Sequence, residues 1–418
     1  MTDRRNFLKT GAAAAAAGTT LGLLPTSVHA AGGDTIKVGL IGCGGRGTGA
    51  MKDSLEADKS IVVHALGDFF RDRAMGFKNN LHKDYGERVQ VGDRVFSGLD
   101  AYKEVLASGP DLVILATPPG FRPLHLEAAV KAGKHIFCEK PVAVDGPGIR
   151  KCMQMVEESK KRNLAIVAGT QRRHQAGYIE TIKQIQDGAI GDIVSARCSW
   201  NGDGIWFKNR AKDTSDVAYH LNNWYHFLWI CGDHIVEQHV HNLDVMNWVL
   251  KGHPTQAVGF GGRGYRKTGP VEEVGHIWDH FAIEYTYPNG VPVQSYCTHI
   301  PGISSDISET VYGSKGSSKV GSYRINNKKV FNGKETNPYV QEHIDLVQSI
   351  KAGKPLNELQ QVTESTLTAI MGRMAAYSGK VVTWDDALNS QVVTMPPDLS
   401  DLSKIAVGPV PVPGKYKF

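Results

Sequence analysis

A short apolar run that leads directly into a glycine-rich loop constrains the fold of this chain more than any other feature. Residues 36–41, Ile-Lys-Val-Gly-Leu-Ile, predict a buried strand because apolar and β-branched residues dominate them. The loop that follows spaces Gly42, Gly44 and Gly47 as Gly-x-Gly-x-x-Gly. In such a loop the first glycine permits a tight turn, the second admits a pyrophosphate, and the third lets the next helix pack on the strand. The pattern predicts a nucleotide-binding strand, turn and helix, with the candidate cofactor-binding residues Gly42, Gly44, Gly45, Arg46 and Gly47.

An acidic residue stands at the end of the next predicted strand. Residues 61–66 are again apolar and β-branched, and Asp68 follows them about 20 residues after the glycine loop. A carboxylate at this place accepts hydrogen bonds from the ribose hydroxyls of a dinucleotide, which favours NAD. Arg71 and Arg73 lie close by, and an arginine there can hold the 2′-phosphate of NADP, so NADP stays open as an alternative.

Strands and helices continue to alternate along the first part of the chain. Three further strands are predicted at 112–116, 135–138 and 164–168, with a helix between each pair. This alternation predicts a parallel, doubly wound sheet over residues 34–168. Ligands of such sheets lie beyond the carboxyl ends of the strands. The residues just past those ends are further candidates for cofactor binding: Thr117, Pro118, Glu139 and Lys140.

The first 31 residues have the three parts of an export signal. Arg4 and Arg5 precede an apolar, alanine-rich run, and Val-His-Ala at 28–30 offers small residues at the two positions that a signal peptidase reads. The run is shorter than the ~20 apolar residues of a membrane span, and Pro25 ends it, which argues against a simple membrane anchor. Residues 1–31 therefore predict a twin-arginine signal peptide and an exported, periplasmic protein with no membrane segment in its mature form.

Composition argues against several other classes of protein. The formal net charge is +5 over 418 residues, and no basic run is long enough to indicate binding to nucleic acid. The length that remains after the leader indicates two domains rather than one. The six cysteines are scattered without a Cys-x-x-Cys pair, so we expect few or no disulfides.

Residues 169–390 predict a second, substrate-binding and oligomerising α/β domain in which strands dominate. Residues 279–287 alternate apolar and polar side chains, and residues 291–298 return as a second strand. Asn289 and Gly290 between them are a strong signal for a hairpin.

A helix and an arm bracket this domain in the sequence. The helix predicted at 176–186 places Ile179, Ile182 and Ile185 along one face at a spacing of three. Residues 391–418 are rich in proline and glycine and predict an extended arm at the carboxyl end.

The residues with the clearest chemistry lie between Gly232 and Asp244. A helix from Ile235 onward would place Glu237, His241 and Asp244 on one face. A carboxylate one turn from an imidazole fixes the tautomer of the ring and raises its basicity. A histidine with a pKa near neutrality suits the removal of a proton from an alcohol. We therefore expect Glu237 and His241 to be catalytic.

Other roles for the same residues stay open. His241 can be a hydrogen-bonded core histidine, and Glu237 can be the structural partner of a basic side chain. Glu237, His239 and His241 together also have the residue types of a three-ligand metal site. Residues two apart on one helix point away from each other, so we expect no metal.

Aromatic and polar side chains gather just before this stretch. Sugars present C–H faces that pack on aromatic rings and hydroxyls that bond to amides. An aromatic core or a subunit contact would explain the same composition without a ligand. Two further polar residues follow the strand at 164–168, at the edge where the cleft is expected. The candidate substrate-binding residues are Arg172, His174, Trp206, Asn223, Tyr225, His239 and Asp244.

Four short segments follow a known pattern: Leu115-Ala116-Thr117-Pro118, Glu139-Lys140-Pro141, Gly169-Thr170-Gln171-Arg172-Arg173 and His241-Asn242-Leu243-Asp244. Together with the glycine loop they resemble the glucose–fructose oxidoreductase and inositol dehydrogenase family (Gfo/Idh/MocA), over nearly the whole chain after the leader. The resemblance implies a Rossmann domain followed by an α/β domain with a large, mostly antiparallel sheet. It also implies late helices that return to the first domain and a homodimer or homotetramer.

The same resemblance implies hydride transfer at a secondary alcohol of a sugar, a sugar derivative or a cyclitol. Lys140 and His241 match the family's catalytic lysine and histidine, and the lysine would stabilise negative charge on the alcohol oxygen. Glu237 stands where many members carry an aspartate, and His239 stands where a glycine is common. The third catalytic role, which we assign to Glu237, therefore departs from the family pattern.

Export constrains the expected chemistry further. A nicotinamide enzyme outside the cytoplasm meets little free nucleotide, so we expect tightly bound NAD, or NADP, that is loaded before export and recycled in place. One alternative is a glycosidase that oxidises a hydroxyl, eliminates the aglycone and reduces the product again. A second alternative is a protein that retains a nucleotide only for binding or sensing.

Overall fold

The structure, a computed structural model, describes residues 35–396, 399 and 403–418. The predicted signal peptide, residues 1–31, lies outside this part of the chain. The first layer is a six-stranded sheet in which every neighbouring pair of strands is parallel. Its strands, in the order β3-β2-β1-β4-β5-β6, are β1 (Ile36–Ile41), β2 (Ile61–Asp68), β3 (Val95–Ser97), β4 (Leu112–Leu115), β5 (His135–Cys138) and β6 (Ile166–Ala168).

Helices pack on both faces of this parallel sheet. They are α1 (Gly45–Ala57), α2 (Arg71–Tyr85), α3 (Ala101–Ala107), α4 (Arg122–Lys131) and α5 (Gly146–Lys161). Successive side chains of a strand alternate between the two faces. Val113 therefore joins the core beneath α3, α4 and α5, whereas Ile114 joins the core beneath α1 and α2. Burial on both faces explains the near-continuous apolar strands, and the predicted doubly wound sheet is confirmed.

The second layer is a nine-stranded sheet. Its neighbouring strands are antiparallel except for one parallel pair, β7 and β10. The expected large, mostly antiparallel sheet is therefore confirmed. Its strands, in the order β14-β13-β12-β11-β7-β10-β9-β8-β15, are β7 (Ile193–Gly202), β8 (Gln256–Gly262), β9 (His280–Thr286), β10 (Pro292–His299), β11 (Asp306–Gly313), β12 (Gly316–Lys319), β13 (Arg324–Ile325), β14 (Lys328–Lys329) and β15 (Val382–Thr383).

Helices of the second half pack on one face of this sheet or connect it to the first layer. The longest of them, α13, packs on β8 and β9. The helices are α6 (Ala176–Gln186), α7 (Asp216–Asn222), α8 (Leu228–Cys231), α9 (His234–Glu237), α10 (Val240–Leu250), α11 (Val271–Val274), α12 (Pro338–Lys351), α13 (Leu359–Ser378) and α14 (Trp384–Asn389).

The predicted hairpin sets the buried face of the large sheet. Phe281, Ile283 and Tyr285 on β9 alternate into the core, and each is at most 3% exposed. Between β9 and β10, Asn289 and Gly290 have φ angles of 68° and 76°. Asparagine and glycine tolerate this left-handed region better than other residues, which is why the sequence places them at the turn.

The helix α6 has the predicted bounds but a different buried face. Ile182 and Ile185 are buried as expected, whereas Ile179 is 44% exposed. The buried position one turn before Ile182 is Tyr178. Spacing by three drifts around a helix of 3.6 residues per turn, so i, i+4 and i+7 describe this face better than i, i+3 and i+6.

The chain returns to the parallel sheet near its carboxyl end. The helix α12 packs against α1, and Leu346, Val347 and Ile350 on α12 complete the apolar core beneath α1 and α2. Just before α13, the Glu358 carboxylate accepts a hydrogen bond from the main-chain N–H of Ala168 at 2.9 Å. The last helices therefore join the two sheets.

Two further features concern the surface and the thiols. Among the residues that the structure describes, no helix has the length and apolar character needed to cross a bilayer. All six cysteines are buried free thiols. Burial raises the pKa of each thiol above its ordinary value, which suppresses the reactive thiolate.

A matched pair of glycine substitutions tests the packing of α1. A Cβ added at Gly47 would lie 1.8 Å from the main-chain oxygen of Gly42, whereas a Cβ at Gly76 on α2 would meet nothing within 4 Å. We expect Gly47→Ala to lower the free energy of unfolding by about 2 to 4 kcal/mol through overpacking. Gly76→Ala should raise it by about 0.5 to 1 kcal/mol, since alanine loses less entropy in a helix. Urea unfolding of both variants measures the difference, and equal effects would contradict the close approach.

Candidate active site

The glycine loop has the geometry that the sequence predicts. Gly42 has a φ of +101°, and a Cβ there would lie 2.6 Å from the main chain of Ala116. Gly47 approaches Gly42 as described above. Gly44 and Gly45, in contrast, face open space, with nothing within 4 Å of an added Cβ. The loop therefore packs tightly on one side and leaves the first turn of α1, whose N–H groups have no partner within the helix, open to a ligand.

A cavity of about 370 Å³ opens at the carboxyl ends of the parallel strands. Open glycines, a helix amino end and an acidic strand end are the features that hold a dinucleotide, so the residues fit this cofactor. Gly47 lies beneath the loop rather than in the wall. The walls include nine of the ten predicted cofactor-binding residues: Gly42, Gly44, Gly45, Arg46, Asp68, Thr117, Pro118, Glu139 and Lys140.

Asp68 is held in place at the end of β2. Its two carboxylate oxygens accept hydrogen bonds from the main-chain N–H groups of Cys43 at 2.8 Å and Phe70 at 2.9 Å. Each oxygen keeps a further lone pair for a ligand. Arg73 lies 3.5 Å from Asp68 and in the cavity wall, whereas Arg71 bonds to the main-chain oxygen of Val95. Arg73 is therefore the arginine that is placed to meet a 2′-phosphate.

Arg46 joins the glycine loop to two distant elements. Its guanidinium donates to Glu139 at the end of β5, to Glu342 on α12 at 3.2 Å and to Asp53 on α1 at 3.3 Å. Glu342 is fully buried, and this burial raises its pKa well above the ordinary value. Sequence reasoning missed Glu342 because no local signal marks a buried carboxylate there.

Lys140 and Glu237 meet across the boundary between the two sheets. The ammonium of Lys140 donates to the Glu237 carboxylate at 3.0 Å and to the main-chain oxygen of the same residue at 2.5 Å. Both side chains are only about one-tenth exposed. An ammonium has three donors, so one remains for a ligand on the cavity side.

The sequence suggested one continuous helix from Ile235 onward, but the structure has two separate helices there. The short helix α9 ends at Glu237, and α10 begins at Val240. The break turns Glu237 toward Lys140 instead of stacking it one turn below His241. The expected carboxylate–imidazole contact along a helix face is therefore replaced by a carboxylate–ammonium contact between the two halves.

His241 presents a neutral imidazole beside these groups. Its ring stacks on Trp200 with a centroid distance of 6.0 Å, and its nitrogens make no hydrogen bond to any residue that the structure describes. Burial lowers the pKa of His241 well below 6.5, and the charges of Lys140 and Arg172 lower it further. The reading of His241 as a hydrogen-bonded core histidine does not fit this geometry.

A buried carboxylate on β11 organises the wall behind His241. Glu309 accepts hydrogen bonds from Arg172 at 2.6 Å, from Asn242 at 2.6 Å and from the Tyr178 hydroxyl at 3.2 Å. Arg172, which was predicted to contact substrate, thus donates one terminal N–H to Glu309. Its Cζ lies 5.8 Å from the centroid of the Trp200 ring. Sequence reasoning missed Glu309, since only the pairing of β11 with β7 brings it here.

Three predicted substrate-binding residues have structural partners away from the cavity. His239 is fully buried, bonds to the Ser295 hydroxyl at 2.7 Å, and has a pKa lowered by burial to about 3. Asp244 accepts two hydrogen bonds at 2.9 Å from the Arg173 guanidinium. Both side chains thus have partners within the protein, and their assignment to substrate binding stays a prediction.

His174 is the third of these residues. Its ring nitrogens lie 2.6 Å from Asp345 and 3.3 Å from Glu358. Burial opposes a charge on this ring, yet the hydrogen bonds to the two carboxylates raise its pKa to about 10. His174 is therefore an imidazolium that joins α12 to the segment before α13, and its assignment to substrate binding stays a prediction.

The aromatic candidates divide between the cavity wall and the interior. Trp206 lines the cavity and is 44% exposed. Tyr225 is 4% exposed and packs against Trp206 with a centroid distance of 5.7 Å. The Asn223 amide is fully buried and exchanges two hydrogen bonds with the main chain of Lys208, at 2.8 and 2.9 Å. Asn223 therefore shapes the loop beside the cavity rather than facing a ligand.

The metal alternative finds no support in the placement of its residues. Glu237 is bound to Lys140, whereas His239 points to Ser295 in the interior. Within the described part of the chain, no group of three or more histidine, cysteine, aspartate or glutamate side chains is placed to hold a metal ion.

Comparison with known proteins agrees with this architecture. Residues 36–170 match the model of an oxidoreductase family with an NAD-binding Rossmann fold, and residues 178–319 match the GFO/IDH/MocA C-terminal domain. Residues 1–21 match the twin-arginine translocation signal, which directs export by that route.

Curated relatives match over part of their length. Inositol 2-dehydrogenase 3 of Saccharopolyspora erythraea is 30% identical over 49% of this chain and 56% of its own. Inositol 2-dehydrogenase of Klebsiella pneumoniae (strain 342) is 28% identical over 52% of this chain and 55% of its own. The chain thus spans about half the length of these relatives.

Solved structures share the fold over most of the chain. Scyllo-inositol dehydrogenase from Lactobacillus casei, with bound NAD(H) and scyllo-inositol, has a TM-score of 0.64 at 18% identity and covers 84% of this chain and 99% of its own. Aldose-aldose oxidoreductase from Caulobacter crescentus, complexed with glycerol, has the same TM-score, identity and coverage. The chain belongs to the Gfo/Idh/MocA family of NAD-binding oxidoreductases and carries a twin-arginine export signal.

Proposed function

We propose that this protein oxidises a secondary alcohol of a sugar, a sugar derivative or a cyclitol with NAD, or NADP, that it retains and recycles. The observation that carries the proposal is the cavity at the strand ends, whose wall holds the glycine loop, Asp68 and Lys140, with Lys140 paired to Glu237. Lys140 comes from the nucleotide-binding half and Glu237 from the other half, so their contact needs the whole fold. The inositol dehydrogenases among the relatives support the substrate class.

The residues divide the chemistry of alcohol oxidation between them. Bound nicotinamide nucleotide supplies the hydride acceptor. Lys140, with two of its three donors on Glu237, offers the third to the alcohol oxygen and stabilises its developing negative charge. His241 is neutral and free of hydrogen bonds to described residues, so it can take the hydroxyl proton. Glu237 orients the ammonium and balances its charge.

Retention of the nucleotide is supported by a segment of the second half that forms part of the cavity wall. Trp206, Leu221 and Trp224 line the cavity from the second half, and we call residues 206–224 the cover segment. Arg73 donates to the side chain of Asn222 at 3.3 Å, which ties the cover segment to the end of the parallel sheet. A nucleotide beneath this segment leaves only when the contact opens. A second carbonyl substrate would then restore the nucleotide in place.

The division of the chain and its assembly belong to the same proposal. We assign residues 34–168 to nucleotide binding, residues 169–390 to substrate binding and oligomer formation, and residues 391–418 to an arm. A homodimer or homotetramer is the assembly expected from the family.

Replacement of His241 tests the assignment of the base. We expect His241→Ala to lower kcat by at least about a hundredfold, since a positioned base contributes that much to proton transfer. His82→Ala on the exposed end of α2 is the matched control and should leave kcat within about twofold. Bound nucleotide, measured by absorbance after denaturation, should be unchanged in both. Undiminished turnover by His241→Ala would mean that another group removes the proton, whereas native protein that holds the nucleotide but turns over no sugar would favour a binding or sensing protein.

The pH dependence of the reaction tests the state of His241. A general base acts when it is unprotonated, and the pKa of His241 lies well below 6.5 because of burial and the charges of Lys140 and Arg172. We therefore expect kcat/KM to stay constant from neutral pH down through 6.5 and to fall only in more acidic solution. An acidic limb centred above 6.5 would mean that another group removes the proton.

Nucleotide exchange tests retention. Protein purified without added cofactor should release about one nicotinamide nucleotide per chain on denaturation, as a closed site requires. Asn222→Ala removes the acceptor for Arg73 and should speed nucleotide dissociation about threefold to tenfold, with Asn79→Ala on α2 as the control. Nucleotide-free protein that turns over steadily with added NAD would refute retention.

A free reducing sugar formed without net redox change would identify the glycosidase alternative.

A further inference from the structure

One cation in the wall of the cavity has no carboxylate partner. Four basic side chains of the described chain line this cavity. Three of them are paired, and the pairs are Arg46–Glu139, Arg73–Asp68 at 3.5 Å and Lys140–Glu237 at 3.0 Å. The fourth, Arg122, contacts no carboxylate within the part of the chain that the structure describes. Its charge is therefore the unpaired one among these four.

Main-chain oxygens hold the guanidinium of Arg122 in place. The residue is 2% exposed, and its terminal nitrogens donate to the main-chain oxygens of Leu115 at 2.5 Å and Thr117 at 2.6 Å. Its Nε is enclosed and has no hydrogen-bond partner among the described residues. Carbonyl oxygens carry only partial charges, and an arginine keeps its proton even when it is buried. The wall thus contains a fixed positive charge that no anion in contact cancels.

Hydrogen bonds place this charge at the Lys140 end of the cavity. The main-chain oxygen of Leu115, which accepts from Arg122, also accepts from the main-chain N–H of Glu139 at 3.0 Å. Glu139 directly precedes Lys140, so the guanidinium and the chain that carries Lys140 meet at one carbonyl group. Asp68 ends β2, which lies on the other side of β1 in the sheet order. Arg122 is therefore behind the ends of β4 and β5, away from the Asp68 end.

The proposed function assigns the two ends of the cavity to different parts of the nucleotide. A diphosphate suits the glycine loop after β1, and an adenosine ribose suits the carboxylate of Asp68 after β2. The reacting ring then belongs on the other side of the glycine loop, where Lys140 offers a donor to the alcohol oxygen. In this placement the nicotinamide end of the nucleotide is the end nearest to Arg122.

An unpaired cation at this end acts differently on the two redox states of a nicotinamide. The oxidised ring is positive, and a hydride from the alcohol carbon brings two electrons that make the ring neutral. The hydroxyl proton goes to the proposed base, His241, and the alcohol becomes a carbonyl. A nearby cation raises the free energy of the positive ring and acts little on the neutral one. A paired cation is a dipole with a shorter reach, so the effect of Arg122 extends further than that of the three paired cations.

We propose that Arg122 raises the reduction potential of the bound nicotinamide through its unpaired charge and so favours removal of a hydride from the alcohol. This inference rests on the proposed function and adds a means of control to the same site. An exported enzyme that recycles one nucleotide is not supplied with a cellular excess of the oxidised form, so the protein itself sets the balance between the two forms. A purely structural role at the end of β4 would need the two hydrogen bonds of Arg122 but not its charge.

Cyanide addition to the bound nucleotide tests the effect of the charge. The cyanide carbon bonds to the ring carbon that accepts the hydride, and its electron pair cancels the ring charge without any sugar. The adduct absorbs in the near ultraviolet, so a titration of NAD-saturated protein gives its association constant. We expect R122Q to lower this constant about tenfold, as the loss of a nearby buried charge predicts, and this equals about 30 mV for a two-electron couple. R122K keeps the charge and should stay within about threefold of the native protein.

A matched arginine separates the charge in the wall from the loss of main-chain contacts. Arg150 on α5 also donates to two main-chain oxygens, those of Leu388 at 2.6 Å and Ser390 at 2.8 Å, but it lies outside the cavity wall. R150Q should change the constant by less than about twofold. Thermal unfolding checks that each variant folds. The native protein gives a second measure without any variant, because its constant should exceed that of free NAD by at least about tenfold.

The outcomes separate this inference from the proposed function. The expected fall in R122Q, without oxidation of any sugar by the native protein, would keep the role of Arg122 and refute the proposed function. Oxidation of a sugar, with an unchanged cyanide constant in R122Q, would do the reverse. An equal fall in R122K and R122Q would show that the two hydrogen bonds matter and the charge does not, which overturns the inference. A native constant equal to that of free NAD would overturn it as well.

Discussion

The contact between Lys140 and Glu237 is the interaction on which the rest of the candidate site depends. Lys140 follows β5 of the parallel sheet, and Glu237 ends α9 in the second half, 97 residues later. Because both side chains are nearly buried, each needs the other to balance its charge. The pair thus fixes how the substrate-binding half meets the nucleotide-binding half. It also orients the third N–H of the Lys140 ammonium, which has no bond to Glu237.

Charge balance around this pair determines the state of His241. Lys140 and Arg172 are both cations, and although each has a carboxylate partner, their fields lower the pKa of the imidazole that burial has already lowered. In the proposed reaction, the neutral imidazole is the base and the ammonium of Lys140 is the electrostatic stabiliser. The break before α10 makes this possible, because it separates Glu237 from His241.

The features that the sequence predicted are those set by neighbours along the chain. The glycine loop, the buried strand β4 and the turn at Asn289 and Gly290 depend on local sterics and on residue periodicity, and each forms as expected. The burial of His239 was not predictable in this way. It depends on Ser295 from β10, which is far away in the sequence.

The same limit explains why the sequence did not reveal Glu309 or Glu342. Each is a charged residue whose role depends on partners brought together by strand pairing or by the return of the late helices. A charged residue in a strand or helix pattern usually marks an exposed face. Only the packed structure shows that these two carboxylates are buried and which side chains bind them.

The position of the cover segment connects nucleotide binding with export. The cavity closes only after the second half has folded, because Trp206, Leu221 and Trp224 form part of its wall. The carboxyl-terminal arm then holds this segment, since the main-chain N–H of Ile405 donates to Asp216 on α7 at 2.9 Å. The proposed retention would require loading in the compartment where free nucleotide is available. The twin-arginine route carries folded proteins, and a chain whose six cysteines are buried free thiols suits it.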